Sequence, residues 1–306
     1  MADAADPGSC FGSYLHVCFD FSSDVPTGPQ TWADAVVVDI DTDTSALCNQ
    51  HNDQKLRASS TSAAIVLVFR SAAPVQIHRA GAHSPRLPLA LRSEVGGGGY
   101  GGSFGTRGGD GSNSVPMSGL NGRAGDALLG FPPALRGGCR GGDGGAIAGP
   151  EGQGGDGAGA VALIAAQIHI DGRIDASGSG GHGGFAGSGG GGGGSGGMIV
   201  VDSGTTPSFP NTAKLWANGG GGGQGGASGM PGSDGEESNA PTHQGLPGLS
   251  GSGATGGGGS VGSGPGISAG QDTLNGGGGG GGGGAGFILA PGLTDPVAIS
   301  PPSSGS

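Results

Sequence analysis

Four aspartates stand against glycine in turn-like settings: Asp110, Asp143 and Asp156 within Gly-Gly-Asp-Gly, and Asp126 within NGRAGDALL. Carboxylates on tight turns, with turn carbonyls beside them, are the chemistry of an oxygen cage for calcium. Calcium-binding nonapeptide repeats read G-G-x-G-x-D-x-U-x and build the cage by stacking in tandem. NGRAGDALL keeps a glycine, Asp126 and Leu128 of that pattern but has Ala124 where glycine belongs. EGQGGDGA keeps Gly152, Gly154 and Asp156 but lacks the first glycine, and no two copies stand in tandem. Ordinary Asp-Gly turn chemistry accounts for the same residues. Asp110, Asp126, Asp143 and Asp156 are therefore candidate calcium ligands, and no other cofactor is expected.

Catalytic constellations are thinner. The pattern G-x-S-x-G occurs at Ser103, Ser195 and Ser260, in each case without the strand-turn-helix setting of a nucleophile elbow. A G-x-G-x-x-G at Gly178, Gly180 and Gly183 comes directly after a strand-like stretch, as a dinucleotide fingerprint should. The next residues, FAGSGGGGGG, cannot supply the helix N-terminus that holds a pyrophosphate. Both patterns are what chance delivers in so much glycine. The seven histidines are scattered, and neither lysine, Lys55 or Lys214, comes after a glycine as a Walker motif requires. Asp171 and Asp175, flanking Arg173, are the one carboxylate pair spaced for hydrolysis on a strand face. No catalytic residue is assigned, and the chain is expected not to be an enzyme. Asp39, Asp41 and Asp43 alternate with Val38 and Ile40, the pattern of a solvated strand face.

The elements that must position these residues are unusual. Glycine supplies 80 of 306 residues, and all but Gly8, Gly12, Gly28 and Gly81 lie from Gly96 onward. Collagen would need glycine at every third position with abundant proline, and only scraps such as GMPGSDG keep that period. Ordering glycine costs backbone entropy without burying a side chain, so such a region orders only if its amides pack and bond to one another. A net charge of −11 argues against nucleic acid and against an anionic membrane face. The longest apolar run, AAIVLVF at 63–69, is far short of a membrane span. The start, MADAADPGSC, shows no secretory signal. Cys10, Cys18, Cys48 and Cys139 are even in number with no CxxC, so they are candidate disulfide partners if the protein is exported and free thiols otherwise.

Apolar islands recur within the glycine: AVALIAAQIHIDGRIDAS (160–177), GMIVVDS (197–203), TAKLWANGG (212–220) and GAGFILAPG (284–292). Three open on glycine and then a short apolar run, and the unit reads strand, turn, strand, glycine excursion. Repetition of that kind predicts stacked coils, because one strand pair cannot bury its apolar face alone. Ile164, Ile168, Ile170, Ile174, Ile199 and Val201 are the expected core. Glycine would serve where extended or polyproline-II-like backbones pass closely, or as spacer between rungs.

SCFGSYLHVC (9–18), IDTDTSALC (40–48), LRGGCRGGDGG (135–145), IDGRIDASGSGG (170–181), LWANGGGGGQGG (215–226) and NGGGGGGGGGAGFILAP (275–291) occur in order. Together they resemble the uncharacterised glycine-rich proteins of myxobacteria. A looser similarity to the PE-PGRS proteins of mycobacteria rests on glycine content alone. The sequence departs from the myxobacterial pattern between about 50 and 95, where HNDQKLRASSTSAAIVLVFRSAAPVQIHRAG replaces a cysteine-containing strand pair. The resemblance implies an exported or surface-associated protein and supplies no site residues.

The expected fold class is all-β, a right-handed parallel β-helix-like or glycine-rich β-solenoid with long glycine loops over 96–295. A β-leaning segment at 1–95 caps it, and 296–306 is a disordered tail. The expected role is a non-enzymatic structural or interaction protein of the cell envelope or extracellular matrix. A calcium- or carbohydrate-binding adhesin-like module is the alternative, and a glycan hydrolase on a β-helix scaffold comes third. Self-association or surface glycans are the candidate partners.

Overall fold

The structure is a computed structural model. It describes residues 96–304 with short gaps (115–119, 133–134, 148, 166–167, 171, 204–205, 228, 251–252, 271–275, 292 and 294–297). Of the first 95 residues it describes only three two-residue strands. The expected cap at 1–95, with Asp39, Asp41, Asp43 and Cys48, otherwise lies outside the described residues.

The apolar islands form short strands. Strands β4 (Ala160–Ala165), β6 (Met198–Ser203) and β8 (Phe287–Leu289) make one parallel sheet in the order β4-β6-β8. Strands β3 (Val75–Gln76), β5 (Arg173–Asp175), β7 (Lys214–Trp216) and β9 (Ala298–Ser300) make a second, also parallel. A separate antiparallel pair joins β1 (Cys10–Phe11) to β2 (Val17–Cys18). Ile168, Ile170, Ile174, Ile199, Val201, Leu215 and Ile288 are buried in one cluster between the two parallel sheets. The side chain of Ile164, also expected in the core, lies outside the described set. Met198, Val200 and Phe287 point the other way, where Phe104 and Phe131 meet the Phe287 ring edge-on at 5.1 and 5.3 Å. Strand β6 is thus buried on both faces, which is why MIVV reads as an unbroken apolar run.

The glycine segments form a second architecture. The 189–197 segment makes no hydrogen bond within itself. Its N–H groups bond in strict rotation to three neighbouring segments: Gly189, Gly192 and Ser195 to carbonyls of Gly145, Gly142 and Cys139. Gly190, Gly193 and Gly196 reach Gly278, Gly281 and Gly284, and Gly191, Gly194 and Gly197 reach His182, Ser179 and Ala176. Its carbonyls rotate likewise, accepting from Gly99 and Gly102, from Gly220 and Gly223, and from Gly155 and Ala158. A three-residue repeat without internal bonds, and without positive φ in the tract, is a polyproline-II helix. Six such helices surround this one, donors and acceptors alternating around the ring, and the ring closes through bonds between adjacent members.

Two further segments are enclosed the same way. The 277–286 segment lies among 96–105, 105–112, 189–197, 219–226, 254–260 and 266–270. The 219–226 segment lies among 176–184, 189–197, 232–236, 245–248, 254–260 and 277–286. Only glycine permits this approach: a Cβ on Gly192 would sit 1.8 Å from the Tyr100 carbonyl oxygen, and one on Gly286 1.8 Å from that of Gly197. Backbone amides, otherwise costly to bury, become the core.

This overturns the expected β-helix or solenoid over 96–295. Neither parallel sheet closes or coils, no described residue is α-helical, and the parallel strands form two small open sheets at one end of a glycine bundle. The physical reason is that glycine runs are not loops between rungs. They are rods that hydrogen-bond on every side, whereas a strand bonds on two edges only. The rods feed the sheets directly: 189–197 runs into β6 and 277–286 into β8, while β5 and β7 run back into 176–184 and 217–226. The abrupt change from Gly-Gly to Met-Ile-Val-Val is the point where a six-neighbour rod becomes a two-neighbour strand. The terminal segment also departs from expectation, because Ala298–Ser300 pairs with β7 and the Ser304 N–H bonds the Ile288 carbonyl.

Candidate functional site

The four candidate calcium ligands do not converge on one site: Asp143 and Asp156 share Arg140, Asp110 lies with Arg107, and Asp126 stands elsewhere. Asp110 Oδ1 accepts from Arg107 at 2.6 Å and from the Ala124 N–H at 2.9 Å. Asp143 repeats the arrangement, meeting Arg140 at 2.7 Å and the Gly154 N–H at 2.9 Å. Both sit in Arg-Gly-Gly-Asp, and a three-residue helix puts i and i+3 on one face, so arginine and aspartate lie side by side. Each carboxylate stands in for a missing carbonyl at the edge of the rod array. Asp156 lies 3.7 Å from the same Arg140, and Asp126 is exposed. Among the described residues no three His, Cys, Asp or Glu side chains converge as a metal cage would require.

The serines of the G-x-S-x-G patterns are structural in the same sense. Ser195 Oγ accepts from the Cys139 N–H at 2.7 Å, and Ser103 Oγ accepts from the Gly108 N–H at 2.9 Å. Ser260 Oγ bonds the Gly264 carbonyl. Gly178, Gly180 and Gly183 lie along the 176–184 rod with no helix after them. Cys139 is disulfide-bonded. The side chains of Cys10, Cys18 and Cys48 lie outside the described residues, as does Asp171.

Asp175, the other half of that expected pair, has a different carboxylate neighbour. Ile174 and Leu215 face the core, so alternation puts Asp175, Trp216 and Ser300 together on the opposite face of β5-β7-β9. All three are buried. Above them lies the 232–240 segment, held by Ser238, whose Oγ accepts from Asn218 Nδ2 at 2.9 Å and donates to the His243 carbonyl at 2.7 Å. Asn218 Oδ1 in turn accepts from Ser300 Oγ at 2.5 Å. Burial, and secondarily the nearby Asp175 charge, pushes the Glu237 carboxyl up to about 7. The buried Trp216 Nε1 and Ser177 Oγ have no hydrogen-bond partner among the described residues. Sequence reasoning misses this polar node. Glu237 reads as one more acid of the DGEES run, and only the fold shows what it faces.

A second feature is the end of the bundle away from the sheets. The turns there carry Ile147, Phe185, Met230 and Leu249, all exposed large apolar side chains. Each of these side chains lies between a descending rod and an ascending one.

No protein-family model, no curated protein and no solved structure matches the chain. Among the described residues no helix is long and apolar enough to cross a membrane.

Proposed function

We propose that this chain is a non-enzymatic structural or interaction protein of the cell envelope or extracellular matrix. The observation that carries the reading is the self-saturated rod bundle, in which three enclosed glycine segments spend their amides on the rods around them. Such a core makes a stiff body without a large apolar interior, which suits a scaffold exposed to varied surroundings. The Cys139 disulfide supports an oxidising compartment. The resemblance to myxobacterial glycine-rich proteins supports the same location. The test is fractionation of cells that produce the protein, with alkylation of free thiols before lysis. The reading expects the protein in envelope or medium with Cys139 blocked to alkylation. A cytosolic pool with reactive Cys139 contradicts it.

A second reading, an adhesin-like module, is favoured by the apolar turns that project Ile147, Phe185, Met230 and Leu249 from one end. It expects retention on immobilised glycans, lost in a Phe185→Ser, Met230→Ser double variant of unchanged melting temperature. Its calcium-binding form further expects melting to rise on adding calcium, and an unchanged melting temperature counts against that form.

A further inference from the structure

We propose that the open edge of β4 is the docking site of this chain's own apolar run AAIVLVF (63–69), which joins the β4-β6-β8 sheet as a fourth, parallel strand. The run itself lies outside the described residues, and the strand pattern on either side of it points to this place. Three times the chain gives one strand to each sheet in turn: β4 then β5, β6 then β7, β8 then β9. The sheets are in step, with Val161, Ile199 and Ile288 in one register row and Ile174, Leu215 and Ile299 in the other. The second sheet has one strand more, because β3 pairs with β5, Val75 opposite Ile174. The counterpart of β3 belongs beside β4, and the apolar run that comes just before β3 is AAIVLVF. The connections in the three complete units are 166–172, 204–213 and 290–297. The link 70–74 is shorter, but at about 3.3 Å per residue it still spans the roughly 10 Å between packed sheets.

The edge of β4 presents what such a strand needs. The Met198 N–H bonds the Gly159 carbonyl, and parallel pairing alternates from there. Val161 and Leu163 therefore spend their peptide groups on β6, while those of Ala162 and Ile164 point to the other edge. No described strand pairs with that edge. Val161 and Ala162 are half-buried, whereas Ile199 and Val200 opposite them in β6 are fully buried. An uncovered edge of this length is a template for foreign strands, so its own strand also protects it. An unbroken apolar run suits burial on both faces, as MIVV does in β6. The Cys139 disulfide ties the first part of the chain to this side of the molecule. Cys139 is the only cysteine after Cys48, so its partner is Cys10, Cys18 or Cys48. Next to it, the Gly138 N–H bonds the carbonyl of Ala158, just before β4 begins.

The test is amide hydrogen exchange of the full chain, read by NMR at two concentrations about tenfold apart. Ala162 and Ile164 should be protected to within about tenfold of Leu163, whose N–H faces β6. A Val66→Pro, Leu67→Pro double variant removes an N–H facing β4 whichever of the two residues supplies it. It should lower protection at Ala162 and Ile164 by about tenfold or more, while Leu163, Val200 and Gly190–Gly194 keep theirs. Nuclear Overhauser contacts between amides of 64–68 and 161–165 in the unaltered chain read the same pairing, and they decide alone should the variant unfold. Free exchange at Ala162 and Ile164 in the unaltered chain overturns the proposal, as does absence of those contacts. Protection that survives the prolines overturns it too, and so does protection that falls on dilution, the mark of a second copy on this edge.

Discussion

The two halves of this molecule solve the same problem with opposite residues. The sheets bury Ile199, Val201, Leu215 and Ile288 between two layers and hydrogen-bond along strand edges. The rod bundle buries peptide groups, and its neighbours approach from six directions because no Cβ intervenes. Side chains hold the first together mainly through apolar burial. The second is held by many individually modest hydrogen bonds whose loss, in a buried site, is expensive. Low hydrophobicity alone therefore does not decide disorder. What decides is whether the backbone can satisfy itself.

The contrast breaks most sharply at an enclosed glycine. Gly192→Ala places a methyl 1.8 Å from the Tyr100 carbonyl oxygen, with rods on all sides and no room to yield. It should cost on the order of 4 kcal/mol or more, read as loss of the cooperative melting transition. The strand counterpart, Ile199→Ala, should cost about 2–5 kcal/mol by leaving a cavity, measured by denaturant titration. Ser195→Ala probes the seam between the two, since it strips the buried Cys139 N–H of its acceptor at 2.7 Å. It should cost about 1–3 kcal/mol in the same titration.

Changing pH sharpens the comparison without a mutation. Glu237 has its carboxyl raised to about 7 in the folded state from an ordinary 4.5. The folded state therefore binds more proton at Glu237 than the unfolded state between those values, so this group's contribution to stability is full below 4.5 and is lost as pH rises through 7. Glu237 is partly exposed, so screening reduces the fall to about 1 kcal/mol, checked by melting at pH 5 and 8. The smallest effect belongs to a glycine outside the array. A Cβ on Gly264 meets nothing closer than the Val261 carbonyl oxygen at 3.7 Å. Gly264→Ala should change stability by less than about 0.5 kcal/mol.

The same difference between the halves governs how much of each is legible in the amino-acid sequence. The strand islands are legible because Ile, Val and Leu announce burial, and Ile199, Val201 and Ile174 are buried as expected. The rods are illegible as an array because a glycine tract has no side-chain pattern to carry a period. Their three-residue repeat shows only where polar residues decorate it, as in Arg107-Gly-Gly-Asp110 and Arg140-Gly-Gly-Asp143. Those motifs resemble turn or calcium chemistry when read alone, and the expected solenoid arises from treating glycine as loop. Asp175 is a carboxylate of interest in sequence and structure alike, but its companion differs. Glu237 is far from it in sequence and reaches it only because the 232–240 segment returns across β5 and β7.

Whether the enclosed glycine segments are core is tested most directly by amide hydrogen exchange at Gly190–Gly194 and Gly280–Gly283, compared with Ile199–Val201 in β6. A rod core predicts protection in both glycine segments within about tenfold of the β6 amides, all exchanging through the same global opening. Exchange of the glycine amides near the unstructured rate, with β6 still protected, would contradict it.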